Sequence, residues 1–484
     1  MPEQNYDAVI IGAGLGGLLS AAQLLQRGKR VVVLERLPHC GGRFTAKTFQ
    51  GVQLSSGAVH MIPFGSSGVL ARMLRRLNVP HRLFDADVFA SFHLHGKQIR
   101  SRSLLGVFKV FGPRQFFWFI RIGYLMFFRN LPAHERNLPF DAWLARHINV
   151  DSNPQLVAFF ERISRFALSL DLNQVSASEV ISTTKNMFRY GAPGIVEGGC
   201  GALTGALERH ILDQGADLRL RCDVLQILAD AGHVTGVRVR NKATGEEYLL
   251  HASLVVSDIG PRATNALLHN RQVTQSDVLK KQERSRDRRQ REEEGDNQQE
   301  AIGLKVHILS DVSLIPHKGI MYCLDTQRIA GMVQPTNSDP RLAPAGKHLL
   351  ITHQVIPPGQ SDRIEQEKQL ALADLHKLFG ETFEKHCRVL TMSIYRGEWP
   401  VNRMAQGADV AVETAVEGLF LVGDAVKPSG YLMVEGVAQS VNAFLDLLDV
   451  SKFSKASMRR IRNVSPPPSS FNAFRWLWGA PGNS

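Results

Sequence analysis

The sequence predicts an α/β fold built on a parallel sheet, with a second domain inserted between its two ends. The first observation is a short apolar strand, Ala8 to Ile11, which runs into a glycine-rich turn, a helical pattern and a second apolar strand, Val31 to Leu34. The second observation is an apolar strand pattern within residues 417–425, followed by an apolar helix at 438–448. Both ends of the chain are therefore expected to belong to one sheet.

The turn after the first strand has the pattern of a dinucleotide site. It reads Gly12-Ala13-Gly14-Leu15-Gly16-Gly17. Gly12 permits the tight turn, Gly14 lets a pyrophosphate approach the backbone, and Gly17 lets the helix pack close to the strand. Leu15 and Gly16 begin the helix, whose free N–H groups and dipole favour the phosphates. This turn is therefore expected to bind a pyrophosphate.

An acidic residue and a second glycine turn follow. Glu35 ends the second strand, where a carboxylate can accept both ribose hydroxyls. It is followed by Arg36 and soon afterwards by Gly41-Gly42-Arg43. A second glycine turn is unnecessary for a simple NAD dehydrogenase, but it suits a longer cofactor whose pyrophosphate needs more backbone donors and a cation. These residues favour FAD over NAD.

The late strand and helix supply the other end of such a cofactor site. Asp424 ends the strand pattern, where its carboxylate can accept from a ribityl hydroxyl, and Gly423 leaves room for the flavin chain. Gly436 and Val437 open the last apolar helix. The N-terminus of this helix is placed to face the pyrimidine edge of a flavin, where the reduced ring carries negative charge.

Together these motifs resemble the flavoprotein family of phytoene desaturases, carotenoid isomerases, retinol saturase and flavin-containing amine oxidases. The resemblance rests on the first glycine motif, the ERxxxxGGR continuation and the late GLFLVGDA segment. Residues 194–199, 254–261 and 342–347 lean toward the carotenoid side of the family. The resemblance implies a Rossmann-like FAD-binding domain with an inserted substrate domain made of a mixed sheet and a helical cap.

The resemblance also implies a set of residues beside the cofactor. Gly57, Ala58, Val59 and His60 would lie beside the flavin, and Val224 would give a backbone contact to the adenine. His60 is the candidate catalytic residue, because a histidine at that place can move protons near neutral pH. The alternative is a structural histidine bonded to a carbonyl group. The segments 57–62 and 428–436 depart from the family pattern, which leaves the substrate and the reaction open.

The domain layout follows from these segments. The FAD-binding domain is expected to combine three parts of the chain, and the substrate or cap domain is expected to combine two. The first part of the substrate domain is predicted to be mostly helical up to residue 190, and the second part is predicted to be rich in strands from residue 301. A charged segment follows the second FAD-binding part and reads as a solvated helix or a disordered insertion. The FAD-binding parts are 1–60, 194–270 and 401–450; the substrate parts are 61–193 and 301–400; the charged segment is 271–300; and the C-terminal tail is 451–484.

The predicted function is that of an FAD-dependent oxidoreductase, of desaturase, saturase or isomerase type, acting on a lipophilic, isoprenoid or carotenoid-like substrate. One alternative is a flavin-dependent amine or protoporphyrinogen-type oxidase. Another is a non-catalytic isoprenoid-binding escort protein of the GDP-dissociation-inhibitor type, although such proteins erode the flavin motifs that this chain keeps. No second dinucleotide fingerprint is found, so the expected electron acceptor is oxygen or a quinone rather than NADPH.

The composition indicates the cellular compartment and argues against metal sites and disulfide bonds. The 484 residues are 44% hydrophobic and 21% charged, as in an ordinary folded protein. The five cysteines are scattered without a CxxC pair, so neither a metal site nor a disulfide framework is expected, and a reducing compartment is. No targeting segment and no uninterrupted apolar run of about 18 residues is found, so a cytoplasmic location is expected.

The positive charge points to a membrane partner. The net charge of +12 favours an anionic partner, but no nucleic-acid-binding motif accompanies it. Residues 99–130 interleave arginine and lysine with aromatic rings, a composition that suits helices in a bilayer interface. Gly112-Pro113 is expected to break this run into two helices. The alternative is a buried helix pair that roofs the substrate cavity.

Overall fold

The structure is a computed structural model that describes residues 4–57, 59–88, 90–100, 104–268, 302–356, 363–396, 400–403 and 409–453. Ala58, the charged segment 271–300 and the tail beyond residue 453 were part of the sequence predictions and lie outside the described residues.

Strands and helices are numbered here in chain order. The strands are β1 (Gln4–Asn5), β2 (Ala8–Ile11), β3 (Val31–Leu34), β4 (Ala46–Phe49), β5 (Val52–Ser55), β6 (Met61–Ile62), β7 (Leu83–Asp85), β8 (Ala90–Leu94), β9 (Lys97–Arg100), β10 (Gly194–Val196), β11 (Asp217–Arg219), β12 (Cys222–Asp230), β13 (His233–Asn241), β14 (Glu247–His251), β15 (Val255–Ser257), β16 (Ile302–Ser310), β17 (Ile320–Cys323), β18 (Gly331–Val333), β19 (His348–Ile356), β20 (Cys387–Tyr395) and β21 (Leu419–Leu421). The helices are α1 (Leu15–Gln26), α2 (Val69–Arg76), α3 (Leu104–Phe128), α4 (Ala133–Arg136), α5 (Phe140–His147), α6 (Pro154–Ala167), α7 (Ala177–Tyr190), α8 (Gly199–Asp213), α9 (Pro261–Leu268), α10 (Ile364–Phe379), α11 (Glu381–His386) and α12 (Met433–Phe453).

A five-stranded parallel sheet joins the two ends of the chain. Its order is β11-β3-β2-β15-β21, and every neighbouring pair is parallel. The carboxyl ends of all five strands therefore meet at one edge, where ligands bind in open α/β sheets. The sheet contains strands from each of the three segments that were predicted to form the FAD-binding domain, and the predicted α/β fold is confirmed.

Both faces of this sheet are buried. Ala8 and Ile10 of β2 pack toward α1, α8 and α12, whereas Val9 and Ile11 pack toward a four-stranded sheet of order β1-β14-β13-β12. Strands that are buried on both faces read as unbroken apolar runs rather than as alternating patterns. For this reason the sequence locates β2 and β3 to the residue.

A seven-stranded sheet of order β20-β16-β19-β18-β17-β8-β9 forms the second part of the fold. Alternate residues of β16 point to opposite faces. Leu304 and Val306 pack against α10 in one hydrophobic cluster, whereas Lys305 and His307 lie on the other face. That other face packs on the main core beneath the parallel sheet, and it is the face that the cofactor segments meet.

The region 61–190 is less helical than the sequence indicates. It contains β6 to β9, and β8 pairs in parallel with β17 of the seven-stranded sheet. A tight turn at His95 and Gly96, which both adopt positive φ, joins β8 to β9. Strands β8 and β9 have only five and four residues, and runs this short cannot be told from helix by their periodicity. The aromatic-rich sequence around them therefore led to a helical prediction.

Helix α3 is kinked at the predicted place. Gly112 has φ 67° and ψ 175°, and Pro113 follows, so the run divides into two helical pieces. Among the described residues, no helix is both long enough and apolar enough to cross a membrane.

Candidate cofactor site

The first glycine turn forms a tight cradle at the carboxyl edge of the parallel sheet. Gly12 adopts φ +94°, which favours glycine, and a Cβ added at Gly17 would overlap the carbonyl oxygen of Gly12. Helix α1 can therefore start directly against the strand end only with glycine at both positions. Gly14 is the residue before α1, and Leu15 and Gly16 form its first turn, whose N–H groups face the turn.

Glu35 lies beside this cradle with a defined orientation. Its carboxylate is 6% exposed, and it accepts hydrogen bonds from Ala13 N–H at 2.7 Å and from Leu37 N–H at 2.8 Å. Each oxygen keeps a second lone pair, as recognition of two ribose hydroxyls requires. Arg36 is exposed at the adjacent surface.

The second glycine turn lies against the first one. Gly41 N–H donates to Ala13 O at 2.7 Å, and a Cβ added at Gly42 would lie 3.7 Å from the Cα of Gly14. Gly42 also adopts φ +53°. Two turns that are separate in sequence therefore form one backbone surface, as the interpretation in favour of FAD requires.

Arg43 and Asp424 connect the two ends of the site. Arg43 Nη2 lies 2.6 Å from Asp424 Oδ1, and Arg403 N–H donates to Asp424 Oδ2 at 2.9 Å. Burial acts in the opposite direction, but the charges of Arg43 and Lys427 hold the pKa of Asp424 well below its usual range. Asp424 is therefore an anion whose orientation is set from several sides.

The last helix is anchored to the same place. Gly423 N–H donates to Ser440 Oγ of α12 at 3.0 Å. A Cβ added at Gly436 would lie 2.7 Å from the Lys427 side chain, so glycine lets α12 pack against that buried lysine. Gly436 and Val437 lie in the first turns of α12, which begins at Met433 rather than at residue 438.

The segment predicted to lie beside the flavin is closely packed. A Cβ added at Gly57 would overlap the carbonyl oxygen of Arg43, and Val59 is buried. Ala58 lies outside the described residues. The contact between Gly57 and Arg43 places this segment next to the second glycine turn.

His60 uses both ring nitrogens for backbone contacts. Nε2 lies 2.7 Å from Gln53 O, and Cys200 N–H donates to Nδ1 at 3.1 Å, so the ring is neutral with its proton on Nε2. Burial lowers the pKa of His60 to about 4. This geometry matches the structural alternative, and the proposal that His60 carries protons stays a prediction that the contacts do not favour.

Val224 lies at the other end of the site. It is part of β12, whose first residue, Cys222, donates its N–H to Glu35 O at 2.9 Å. A register shift separates Val224 from Gln226. Val224 is therefore on a strand that contacts the residue expected to hold the ribose, and its adenine contact stays a prediction.

Sequence reasoning missed Lys305 on the seven-stranded sheet. Its side chain is 4% exposed, and Nζ lies 4.9 Å from the centre of the Tyr395 ring. Burial lowers the pKa of Lys305 to about 7, and the charge of Arg43 acts in the same direction. A usable signal was present, because Lys305 and His307 are polar residues at alternate positions of an otherwise apolar strand.

Comparison with known proteins agrees with this site. The family described as flavin containing amine oxidoreductase matches residues 15–440. An uncharacterized protein of Methanocaldococcus jannaschii is 31% identical over 432 residues, which cover 89% of this chain and 96% of that protein. The crystal structure of an oxidoreductase from Methanosarcina mazei superimposes with a TM-score of 0.80 at 32% identity, covering 91% of this chain and 99% of that one.

A more distant relative has a known reaction. Phytoene desaturase (neurosporene-forming) of Rhodobacter capsulatus is 28% identical over 293 residues, and this match covers 54% of each chain. The resemblance to carotenoid-modifying flavoproteins is thereby confirmed, although the match spans only about half of that enzyme.

The residues of the site fit FAD. Two glycine turns form one cradle, Glu35 lies beside it where the sequence predicts the ribose, and Asp424 lies where the sequence predicts the flavin end. Because the family matches most of the chain and the geometry agrees with it, the chain belongs to the flavin-containing amine oxidoreductase family, and its cofactor is FAD.

Proposed function

We propose that this protein is an FAD-dependent oxidoreductase that desaturates, saturates or isomerises a lipophilic, isoprenoid or carotenoid-like substrate. When bound, FAD supplies the hydride or electron transfer, and the protein orients the substrate. Desaturation removes two hydrogens from the substrate, so the electrons must pass to an acceptor, for which we propose oxygen or a quinone. Isomerisation needs no net acceptor, and saturation would need a two-electron donor that reduces FAD. The observation that carries the proposal is a row of aromatic rings between the surface and the cofactor segments.

The row starts on the kinked helix α3 and ends on the seven-stranded sheet. Successive ring centroids are 5.2 to 6.0 Å apart, within the range of direct aromatic contact. In order, the members are Phe111, Phe119, Phe159, Phe92, Tyr322, Phe166 and His353. The contacts in this row are stacked, tilted and edge-to-face, and most of its rings are buried. A continuous aromatic layer supports a polyene substrate better than a polar metabolite.

The inner end of the row lies against the cofactor segments. A Cβ added at Gly303 would lie 3.2 Å from His353 and would overlap the side chain of Val401. Arg43 Nη1 in turn donates to Val401 O at 3.1 Å. The aromatic row therefore leads from the surface helix to the second glycine turn.

The same sheet disfavours a cationic amine as substrate. None of the seven strands contains an aspartate or glutamate. The ionisable groups on the inner face include the basic side chains of Lys305, His307 and His353, together with the phenol of Tyr322. Among the described residues of these strands, a protonated amine would find no carboxylate partner, which makes amine oxidation the weaker candidate.

We also propose that α3 binds a membrane surface. Phe117, Ile120, Tyr124 and Phe128 are 62, 43, 62 and 63% exposed, and their spacing of three and four residues puts them on one face of the helix. Four large exposed apolar side chains on one face are unusual for a surface that only meets water. Of the residues 116–119, only Phe117 is exposed, since the others pack partly on the core.

Basic residues border this face. Lys109, Arg114 and Arg121 are exposed on α3, and Arg129 is exposed directly after it. The guanidinium of Arg121 lies 5.3 Å from the centre of the Trp118 ring. Apolar rings flanked by arginines fit the boundary between headgroups and acyl chains of an anionic bilayer. The cytoplasmic location stays a prediction.

The substrate class can be tested with purified protein. Isoprenoid polyenes in liposomes would be incubated with the FAD-loaded protein, with oxygen or a quinone present, and the products separated by chromatography. We expect altered double bonds in at least one polyene and no turnover of primary amines. Turnover of amines alone would overturn the substrate class. A colourless protein that binds no FAD would point instead to the escort-protein alternative.

A further inference from the structure

Asp258 is a carboxylate in the cofactor site to which neither the sequence motifs nor the family comparison assign a role. It follows β15, the strand between β2 and β21, so it stands at the carboxyl edge in the middle of the parallel sheet. Its Oδ2 accepts a hydrogen bond from Gly17 N–H at 3.0 Å. The side chain is only partly buried, so part of its surface remains accessible at that edge.

The carboxylate contacts both cofactor-binding segments. A Cβ added at Gly16 would lie 2.6 Å from Asp258 Oδ1, and one added at Gly14 or Gly423 would overlap an oxygen of the same carboxylate. These are the glycines that let a pyrophosphate and the flavin chain approach the backbone. The carboxylate of Asp258 therefore shares the first turn of α1 with the phosphates of FAD.

The cations around Asp258 are shared with a second carboxylate. Among the described residues, those that face it are Asp424 from the turn after β21, Arg43 from the second glycine turn and Arg403 from segment 400–403. Both arginines contact Asp424, Arg43 at 2.6 Å and Arg403 at 3.8 Å. Helix α1 contributes the Gly17 N–H, which can serve a carboxyl group in either protonation state.

We propose that Asp258 takes up a proton when FAD binds and stays neutral in the holoenzyme, so that FAD affinity depends on pH. An ionised Asp258 would stand next to two phosphate charges and Asp424, and like charges repel more strongly at a partly buried site than in bulk water. A protonated Asp258 keeps Oδ2 as the acceptor for Gly17 N–H and offers a hydroxyl donor to its surroundings.

The pKa of Asp258 makes the coupling between its proton uptake and FAD binding measurable near neutral pH. Burial raises the pKa of Asp258 to about 7, the charge of Asp424 adds to this, and Gly17 N–H, Arg403 and Arg43 act against it. Bound phosphates raise it further. Below pH 7 the carboxyl is already protonated and FAD binds without a proton. Above pH 7 a proton must be taken up, and each pH unit weakens binding about tenfold.

Titration of FAD into cofactor-free protein, followed by flavin fluorescence from pH 6 to pH 9, tests the proposal. We expect the wild-type Kd to be nearly constant from pH 6 to pH 7 and to rise about tenfold between pH 8 and pH 9. In Asp258→Asn this rise should vanish, and the variant should bind FAD more tightly than the wild type at pH 9. Asp311→Asn, at an exposed carboxylate, should keep the wild-type slope.

Two further measurements separate Asp258 from other groups. Lys305→Met should also keep the slope, because this variant removes another group whose pKa lies near 7. Calorimetry of the wild type at pH 8, in two buffers of different ionisation enthalpy, should show uptake of about one proton per FAD. No proton uptake, or an equal slope in Asp258→Asn, would overturn the proposal; calorimetry decides alone if that variant does not fold. FAD binding is the readout, so the result is independent of the proposed substrate.

Discussion

At the scale of single residues, Glu35 is a buried carboxylate that backbone hydrogen bonds hold in an orientation suited to ligand binding. Two backbone N–H groups hold its oxygens at 2.7 and 2.8 Å, which stabilises the carboxylate although it is buried. Hydrogen bonds to a charged acceptor contribute about 1.5 to 3 kcal/mol each. The ribose contacts should therefore depend strongly on the negative charge.

Glu35→Gln should weaken FAD binding at least about tenfold, because the amide replaces one charged acceptor by a donor. Fluorescence titration of cofactor-free protein measures the Kd. Glu417→Gln, at a side chain that is 73% exposed, is the matched control and should bind like the wild type. An unchanged Kd in Glu35→Gln would contradict the assigned ribose contact.

The requirement for glycine at position 17 can be tested directly by substitution. In Gly17→Ala the Cβ would overlap the carbonyl oxygen of Gly12, so α1 must move, and we expect a loss of about 1 to 3 kcal/mol of stability together with weaker FAD binding. Gly123→Ala is the control, because nothing lies within 4 Å of the added Cβ. Since alanine favours helix, this control should gain about 0.5 to 1 kcal/mol. Equal thermal midpoints for the two variants would refute the steric argument.

Glu435 should make stability depend on pH. Its carboxylate accepts from Leu70 N–H at 2.9 Å, and burial raises its pKa from 4.5 to about 7. The fold thus favours the protonated form, so the stability that Glu435 contributes is full below pH 4.5 and is lost as the pH rises to 7. The change is on the order of 3 kcal/mol.

Glu435→Gln should remove this part of the pH dependence. Thermal midpoints at pH 5 and pH 8 should differ less in the variant than in the wild type, and the gain should appear at pH 8. If the variant loses the same stability as the wild type between these pH values, Glu435 is ionised in the fold and the argument fails.

At the scale of elements, α3 carries the proposed membrane contact. A variant with Phe117→Ser, Tyr124→Ser and Phe128→Ser should lose most of its flotation with anionic liposomes, because it removes three rings from one exposed face. The control replaces three exposed apolar residues on other elements by serine. They are Phe49, Leu212 and Val450, which are 44, 45 and 54% exposed. Equal flotation of both triple variants would show that α3 does not bind the bilayer.

Elements also differ in how far the sequence predicts them. Strands β2 and β3 follow from a local pattern, namely short apolar runs. Strands β8 and β9 were missed within a region predicted as mostly helical. Their place depends on pairing of β8 with β17, more than two hundred residues later, and no local pattern carries that information.

At the scale of the whole molecule, FAD contacts should hold distant parts of the chain together. The cradle comes from residues before 60, and Asp424 comes from the turn after β21. Ligand that binds only the folded state adds stability, about 2.7 kcal/mol at a concentration one hundred times its Kd. FAD should therefore raise the thermal midpoint of the whole chain in one transition.

ADP is the matched comparison for this experiment. It carries the ribose and pyrophosphate but lacks the ribityl chain and flavin, so it can engage Glu35 and the first glycine turn but not Asp424. At equal free concentrations we expect a smaller rise in the thermal midpoint with ADP than with FAD, because ADP makes fewer contacts and therefore binds more weakly. Two separate unfolding transitions in the presence of FAD would mean that the two ends of the site unfold independently.

The sequence by itself determined the first strand, turn and helix, the FAD motifs and the flavin end at Asp424, because each is encoded by adjacent residues with local backbone requirements. Only the tertiary structure decided which groups meet. It joins Arg43 to Asp424, gives His60 two backbone partners and places Asp258 against the glycine turn. These outcomes depend on burial and on contacts between residues far apart in the chain, and such contacts form only when the strands of the parallel sheet are brought side by side.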